Sequence, residues 1–120
     1  MPSPYFERDG VALYHGDARE VLADLPDASA HMLLTDPPYG ASYASATGQK
    51  IRADSGAQAI RLFRACLVDI DRMLAEPAHA YVFCHWASYP EMFDALAPFW
   101  QLKNALTWSK LNHGPGDVVG

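Results

Sequence analysis

The spacing of apolar residues predicts short strands that alternate with helices along this 120-residue chain. The clearest signal lies in residues 58–74, where apolar side chains recur every three or four positions, as on one face of a helix. Ser55-Gly56-Ala57-Gln58 fits a capping box at the start of this helix, and Pro77 predicts its end. The residues that repeat are Ile60, Phe63, Leu67, Ile70 and Leu74.

Weaker signals precede this helix. Asp9-Gly10 is a tight-turn signal between residues 5–6 and the apolar stretch 11–15. Asp17 is placed to cap a short helix whose three apolar residues face the core. Residues 32–35 predict the next strand. The three inward residues are Val21, Leu22 and Leu25.

Further strands and a helix follow. Residues 80–84 form a short apolar run that predicts a buried strand. Ser88-Tyr89-Pro90-Glu91 is a second capping-box signal and opens a helix that ends near Pro98. Residues 102–108 predict another strand. Strands separated by helices favour an α/β fold with a mostly parallel sheet and flanking helices.

Length and composition bound the fold class. A chain of 120 residues, half of them hydrophobic, predicts a single domain with a packed core. Cys66 and Cys84 lie in apolar stretches and are typical of core residues in a reducing compartment. No run is long and apolar enough to span a membrane, and the start is polar and carries no signal-peptide pattern. These features predict a cytoplasmic protein.

The most informative motif is Asp36-Pro37-Pro38-Tyr39, directly after the apolar run 31–35. The two prolines stiffen the segment. An ionised carboxylate offers only acceptors, and Tyr39 offers an aromatic face for stacking. At the carboxyl edge of a sheet, where open α/β folds bind ligands, these groups suit the amine of an exposed nucleobase. The alternative is an ordinary turn in which proline ends the strand and Tyr39 packs.

The chain closely resembles the amino-terminal part of the amino-group DNA methyltransferases, which use S-adenosylmethionine. The resemblance rests on residues 5–18, on 21–22 and 25–26, and on 35–40. It implies part of a Rossmann-like methyltransferase sheet and double-stranded DNA as the substrate, in a bacterial or phage-encoded enzyme of the restriction-modification type. Asp-Pro-Pro-Tyr is most usual in the adenine-N6 branch. Cytosine-N4 transfer, or methylation of a protein or RNA amide or amine, remains an alternative.

The resemblance also implies the catalytic residues. Asp36 and Pro37 accept hydrogen bonds from the amine of a flipped adenine, Pro38 keeps the segment rigid, and Tyr39 stacks on the ring. Methyl transfer is then direct. For the cofactor the resemblance implies Asp17, whose carboxylate accepts from the adenine amino group, with the Ala18 backbone and Asp36 beside it. A plain helix cap is the other interpretation of Asp17, and both roles are compatible.

Weaker predictions concern DNA. Residues 40–54 are rich in small and polar residues and predict a mobile loop beside the site. Lys50 and Arg52 in this loop, and Lys110, are placed to reach phosphates, and Trp108 to pack on the base. Solvated charges and an ordinary strand end are the alternatives.

The remaining histidine, cysteine and aromatic residues are not assigned to a metal site or to catalysis. His79, Cys84 and His85 lack the paired spacing of a zinc site, so no metal is predicted. Trp86 and Tyr89 are interpreted as packing residues, with base stacking as the alternative.

Two features argue against a complete enzyme. The net charge is −5, with seven acidic and two basic residues in 1–40, so a strong basic footprint for DNA is absent. No Gly-rich turn follows a strand, where this family binds the methionine end of the cofactor. We therefore expect a truncated enzyme or one half of a split enzyme. The competing hypothesis is a non-catalytic remnant that pairs with a carboxyl-terminal half, a second subunit or itself through an open sheet edge.

Overall fold

A computed structural model describes residues 2–38 and 56–109 of the chain. Three α-helices, four strands and one 3-10 turn form in these two ranges. They are, in chain order, β1 (Phe6–Arg8), β2 (Val11–Leu13), α1 (Ala18–Asp24), β3 (Ala30–Thr35), α2 (Gly56–Met73), β4 (Leu74–Val82), the 3-10 turn Trp86–Ser88 and α3 (Tyr89–Leu96). The predicted loop at 40–54 lies outside the described residues.

The first two strands form an antiparallel hairpin around Asp9 and Gly10. Both residues have positive φ, 51° and 81°, as a two-residue turn of type I′ requires, and Asp-Gly is a preferred sequence for that turn. The pairing of Phe6 with Leu13 and of Arg8 with Val11 fixes the register. The hairpin predicted from Asp9-Gly10 is confirmed.

The second sheet joins β3 and β4 in parallel, with α2 between them in sequence. Met32 pairs with His79 and Thr35 with Val82, and the register is irregular nearer the start of the strands. The strand predicted at 32–35 is confirmed and begins two residues earlier, at Ala30.

The hydrophobic core lies between α2 and α3. Leu67 is fully buried, and the other buried members of the cluster come from one face of each helix. They are Ile60, Phe63, Cys66, Ile70, Met92, Ala95 and Leu96. The helical spacing of Ile60, Phe63, Leu67 and Ile70 therefore predicted the buried face correctly. From α1, Leu22 packs against this cluster, whereas Val21 and Leu25 are half-buried.

Hydrogen bonds connect the end of α1, and the segment that follows it, with the end of α2; we call this arrangement the mutual capping. The Arg72 guanidinium, near the end of α2, donates to the carbonyl oxygens of Leu22 at 2.8 Å and Leu25 at 2.7 Å, at the end of α1. In return, the backbone N–H groups of Ala28 and Ser29 donate to the carbonyl oxygens of Arg72 and Met73. Carbonyl groups that a helix end leaves unpaired are thus satisfied on both sides.

The end of α2 predicted at Pro77 is wrong. At the mutual capping the helix ends at Met73, so Leu74 is the first residue of β4 and Pro77 lies inside that strand. β4 therefore covers Leu74–Val82, not 80–84. It is not buried: most of its residues are exposed or half-buried, because only one face of this two-stranded sheet is covered by helices.

Two further predictions require correction. Residues 102–108 form no strand, since none of the described strands pairs with them. In the described residues, the strands form two separate two-stranded sheets, one antiparallel and one parallel. The chain is thus a small α/β fold there, and the larger, mostly parallel Rossmann-like sheet is not formed by these residues.

The predicted helix after Ser88 is confirmed as α3, although the Ser88 side chain makes no capping hydrogen bond. The two cysteines are free thiols, Cys66 buried and Cys84 half-buried, and burial raises the pKa of both thiols. Of the helices in the described ranges, none combines the length and the apolar character that crossing a bilayer demands.

Candidate active site at the carboxyl edge of the parallel strands

Asp36 lies one residue past the end of β3 and is exposed to solvent. Its carboxylate therefore projects from the carboxyl edge of a parallel strand pair, the edge where ligands bind in open α/β sheets. An ionised carboxylate in this position can accept two or more hydrogen bonds from a ligand. The placement agrees with the one predicted from the sequence.

The two prolines anchor the residues after Asp36. Pro37 is buried and Pro38 half-buried, and each fixes its own φ and restricts the residue before it. Asp36 is thus held in extended backbone by a ring that packs inside the protein. Tyr39, the fourth residue of the motif, lies outside the described residues, as do Lys50, Arg52 and Lys110.

The end of β4 is joined directly to the end of β3. The backbone N–H of Phe83 donates to the carbonyl oxygen of Thr35 at 3.0 Å, which extends the parallel pairing one step beyond Val82. Neighbouring strands lie about 5 Å apart, so Phe83 is the closest neighbour of Asp36 across the sheet. Residues that follow β4 therefore belong to the same edge as the Asp36 carboxylate.

Trp108 reaches this edge through Phe83. The two ring centroids are 6.2 Å apart, with planes tilted by 55°, a geometry typical of favourable aromatic pairs. The Trp108 side chain remains 75% exposed. The Trp108 ring is thus linked through Phe83 to the edge that carries Asp36, although the residue lies on an irregular segment and not on a strand. Its packing on a base stays a prediction.

Two residues at this edge were not predicted as site residues. Trp86 was interpreted as packing, but its side chain is 82% exposed. His85 lies beside it, with ring centroids 5.5 Å apart. The signal in the sequence was the cluster of aromatic residues directly after the apolar run 80–84.

Asp17 contributes to a second region, at the start of α1. Its Oδ1 accepts from the backbone N–H and the Nε of Arg19, at 3.0 and 2.9 Å, and its Oδ2 accepts from the Arg19 Nη2 at 2.6 Å. The predicted helix cap is therefore confirmed. These bonds raise the pKa of the Arg19 guanidinium. Asp17 thus acts both as the helix cap and as the ion-pair partner of Arg19. Ala18 is exposed at the first position of the helix.

A shallow depression lies next to Asp17 in the chain. Its lining comes from Tyr5 on one side and from Leu13, Tyr14 and His15 on the other. The rings of Tyr5 and His15 meet edge to face, with centroids 6.1 Å apart. An aromatic-lined depression of this kind suits a planar ring, and Asp17 follows it two residues after His15 in the chain.

The junction between β2 and α1 is also tightly packed. A methyl group added at Gly16 would approach the Val21 side chain to 3.3 Å, so glycine allows the close approach of strand end and helix. No other glycine in the described residues sits between a strand and a helix. Within the same ranges, no three histidine, cysteine, aspartate or glutamate residues cluster as a metal site would require.

Comparison with known proteins yields one informative similarity. Over 39 residues the chain is 41% identical to the Type II methyltransferase M.ScaI of Streptomyces caespitosus. The match covers 32% of this chain and 13% of that protein, so the chain spans only a small part of its relative. No protein-family model matches the chain, and no solved structure matches it. About a third of the chain is thus related to a methyltransferase.

Proposed function

We propose that this chain is the catalytic, base-binding part of a DNA adenine-N6 methyltransferase that uses S-adenosylmethionine, and that it transfers the methyl group without a second chain. The observation that carries the proposal is the exposed Asp36 carboxylate at the carboxyl end of β3, held there by the buried ring of Pro37. The similarity to a Type II methyltransferase supports the same class of reaction.

In this proposal Asp36 and Pro37 orient the amine of the target base. The adenine must leave the double helix before it can reach the edge of the sheet. The adenine amine has two N–H groups. One donates a hydrogen bond to the Asp36 carboxylate and the other to the Pro37 carbonyl oxygen. Both bonds favour a pyramidal nitrogen whose lone pair is withdrawn from the ring. Tyr39 stacks on the base.

When bound, S-adenosylmethionine would supply a methyl group that is already activated, so the chain needs no covalent intermediate. The N–CH3 bond would form as the S–CH3 bond breaks, the neutral thioether S-adenosylhomocysteine would leave, and the surplus amine proton would pass to solvent. What the residues contribute is orientation, which lowers the barrier by fixing the acceptor nitrogen before reaction. The residues that fit the adenosine part of the cofactor are Asp17, through its carboxylate, and Ala18, through its backbone. The aromatic depression lined by Tyr5, Tyr14 and His15, which precede these residues in the chain, would receive the adenine ring.

The experiment that tests this function identifies the modified base. The 120-residue chain is incubated with S-adenosylmethionine and unmethylated double-stranded DNA, and the DNA is digested and its nucleosides are separated by mass spectrometry. We expect N6-methyladenine that disappears in Asp36→Ala. N4-methylcytosine would assign the chain to the cytosine branch. Absence of any methylated nucleoside, together with no cofactor binding by the folded chain, would contradict the proposal.

A further inference from the structure

Aromatic side chains dominate the surface beyond β4. Phe83 pairs with Trp108 and His85 with Trp86, at centroid separations of 6.2 and 5.5 Å. We call these four residues the aromatic edge. Phe83, Trp86 and Trp108 are 42%, 82% and 75% exposed, so large ring surfaces face solvent in one region of the fold.

The backbone of the aromatic edge is held in place. The Nδ1 of His85 accepts from the backbone N–H of Ala87 at 3.3 Å, and the N–H of Ser88 donates to the His85 carbonyl oxygen at 2.9 Å. These bonds close the 3-10 turn that carries Trp86 and leads directly into α3. The exposed indole is therefore attached to ordered backbone. Because this segment is already ordered, it would lose little conformational entropy when a ligand binds.

Acidic residues are absent from the two segments that form the aromatic edge. None of the 14 acidic residues of the chain lies in residues 77–90 or 95–109, the stretches that meet at Phe83 and Trp108, and the second stretch contains Lys103. The acidic neighbour of Phe83 is Asp36, across the sheet, and the proposed function pairs its carboxylate with the base amine. The phosphates of a strand bound at this edge would therefore face the segments without acidic residues.

The side-chain chemistry points to planar rings as the ligand. Residues 83–89 contain four aromatic rings, counting His85, and no leucine, isoleucine, valine or methionine. Protein interfaces are enriched in methionine as well as aromatic residues, whereas sites for unpaired strands combine aromatic platforms with a surface that tolerates phosphates. Exposed aromatic rings on a segment free of acidic residues match the second description.

We infer that the aromatic edge stacks with an unpaired base of a DNA strand, and that Trp86 is its principal contact. This inference rests on the proposed function and adds to it a base-contacting residue outside the Asp36 motif. A base inside a duplex hides both of its faces, so the ligand is a base that has left the helix or belongs to a single strand. The phosphates on either side then follow the surface that lacks acidic residues.

The test uses the whole chain and a single-stranded 12-nucleotide DNA with one 2-aminopurine, whose fluorescence falls when the base stacks on an indole. We expect quenching on binding by the wild-type chain. Trp86→Ala should weaken binding about tenfold and abolish the quenching, because one stacked base is removed. Trp86→Phe should retain most of the affinity. Leu106→Ala is the matched control, since Leu106 is 79% exposed but aliphatic, and it should bind as the wild type does.

The outcomes separate this inference from the proposed function. Unchanged binding and quenching in Trp86→Ala would overturn the inference even if the chain methylates DNA. Absence of DNA binding by the wild-type chain would also overturn it. So would a result in which Trp86→Ala abolishes binding of S-adenosylmethionine but leaves DNA binding unchanged, because Trp86 would then contact the cofactor and not a base. Binding that depends on Trp86 in a chain without methyl transfer would support the inference while contradicting the enzymatic proposal. Circular dichroism of each variant confirms that the fold is retained.

Discussion

The guanidinium of Arg72 donates through Nη2 to the carbonyl oxygen of Leu22 at 2.8 Å, across a sequence separation of 50 residues. The same side chain donates to the Leu25 carbonyl and to the carboxylates of Asp27 and Asp69. These hydrogen bonds from Arg72 connect the end of α2 with the end of α1. Since α1 begins at Asp17 and α2 leads into β4, this contact connects the two regions of the candidate site.

Replacement of Arg72 by methionine should destabilise the fold. The variant keeps an apolar stem but removes the guanidinium donor from the Leu25 carbonyl oxygen, while the Leu22 carbonyl oxygen keeps its bond from the Leu25 N–H. We expect Tm to fall by about 5 °C or more, as measured by circular dichroism. Arg64→Met on the exposed face of α2 is the matched control and should change Tm little. An Arg72→Met variant as stable as this control would show that the mutual capping is not needed.

The core prediction concerns Leu67, which is fully buried between α2 and α3. Leu67→Ala should lower the free energy of unfolding by about 2–5 kcal/mol, because it removes buried methyl groups and leaves a cavity. Its neighbour Val68 is 64% exposed, so Val68→Ala should cost about 0.5 kcal/mol or less. Urea denaturation of both variants measures the difference, and equal losses would place the core elsewhere.

Asp17 combines a helix cap with a proposed cofactor contact, and two substitutions separate these roles. Asp17→Ala should cost about 1 kcal/mol of stability through the lost cap and should also abolish cofactor binding. Asp17→Ser keeps a capping oxygen, so it should retain stability while losing the carboxylate. Calorimetric titration with S-adenosylmethionine gives the second readout. Wild-type affinity in Asp17→Ser would confine Asp17 to its structural role.

The thiols provide a test of burial through their pH dependence. Burial raises the pKa of both Cys66 and Cys84, so at pH 8 each carries less thiolate than an ordinary cysteine with a pKa of about 8.5. Alkylation by iodoacetamide should therefore be slow at pH 8 and accelerate as the pH rises. Cys66 should react more slowly than the half-buried Cys84. Peptide mass spectrometry resolves the two sites, and equal rates in the folded chain would contradict their assigned burial.

Local chemistry made some elements predictable from the sequence. Asp9-Gly10 specifies a turn in which both residues have positive φ, and no distant contact is needed for it. The buried face of α2 follows from helical periodicity alone. Asp36 was placed correctly because a proline pair after an apolar strand leaves few alternatives for the backbone.

The errors arose where a distant part of the chain decides the structure. Pro77 suggested where α2 would end, but the helix stops at Met73, where amides from the segment after α1 bind its last carbonyl groups. Residues 102–108 have the composition of a strand, yet a strand requires a partner, and none of the described strands pairs with them. Trp86 was assigned to packing because its exposure depends on the 3-10 turn that precedes α3.

The central claim is that the Asp36 carboxylate orients the target amine, and the most direct test compares methyl transfer by wild type and Asp36→Ala. The substitution removes both acceptor oxygens, and Asp36 is exposed, so stability should change by less than about 0.5 kcal/mol. We predict that the rate of N6-methyladenine formation falls about 100-fold or more, while Asp24→Ala, which removes an exposed carboxylate on α1, retains full activity. A folded Asp36→Ala variant that methylates DNA at the wild-type rate would contradict the account.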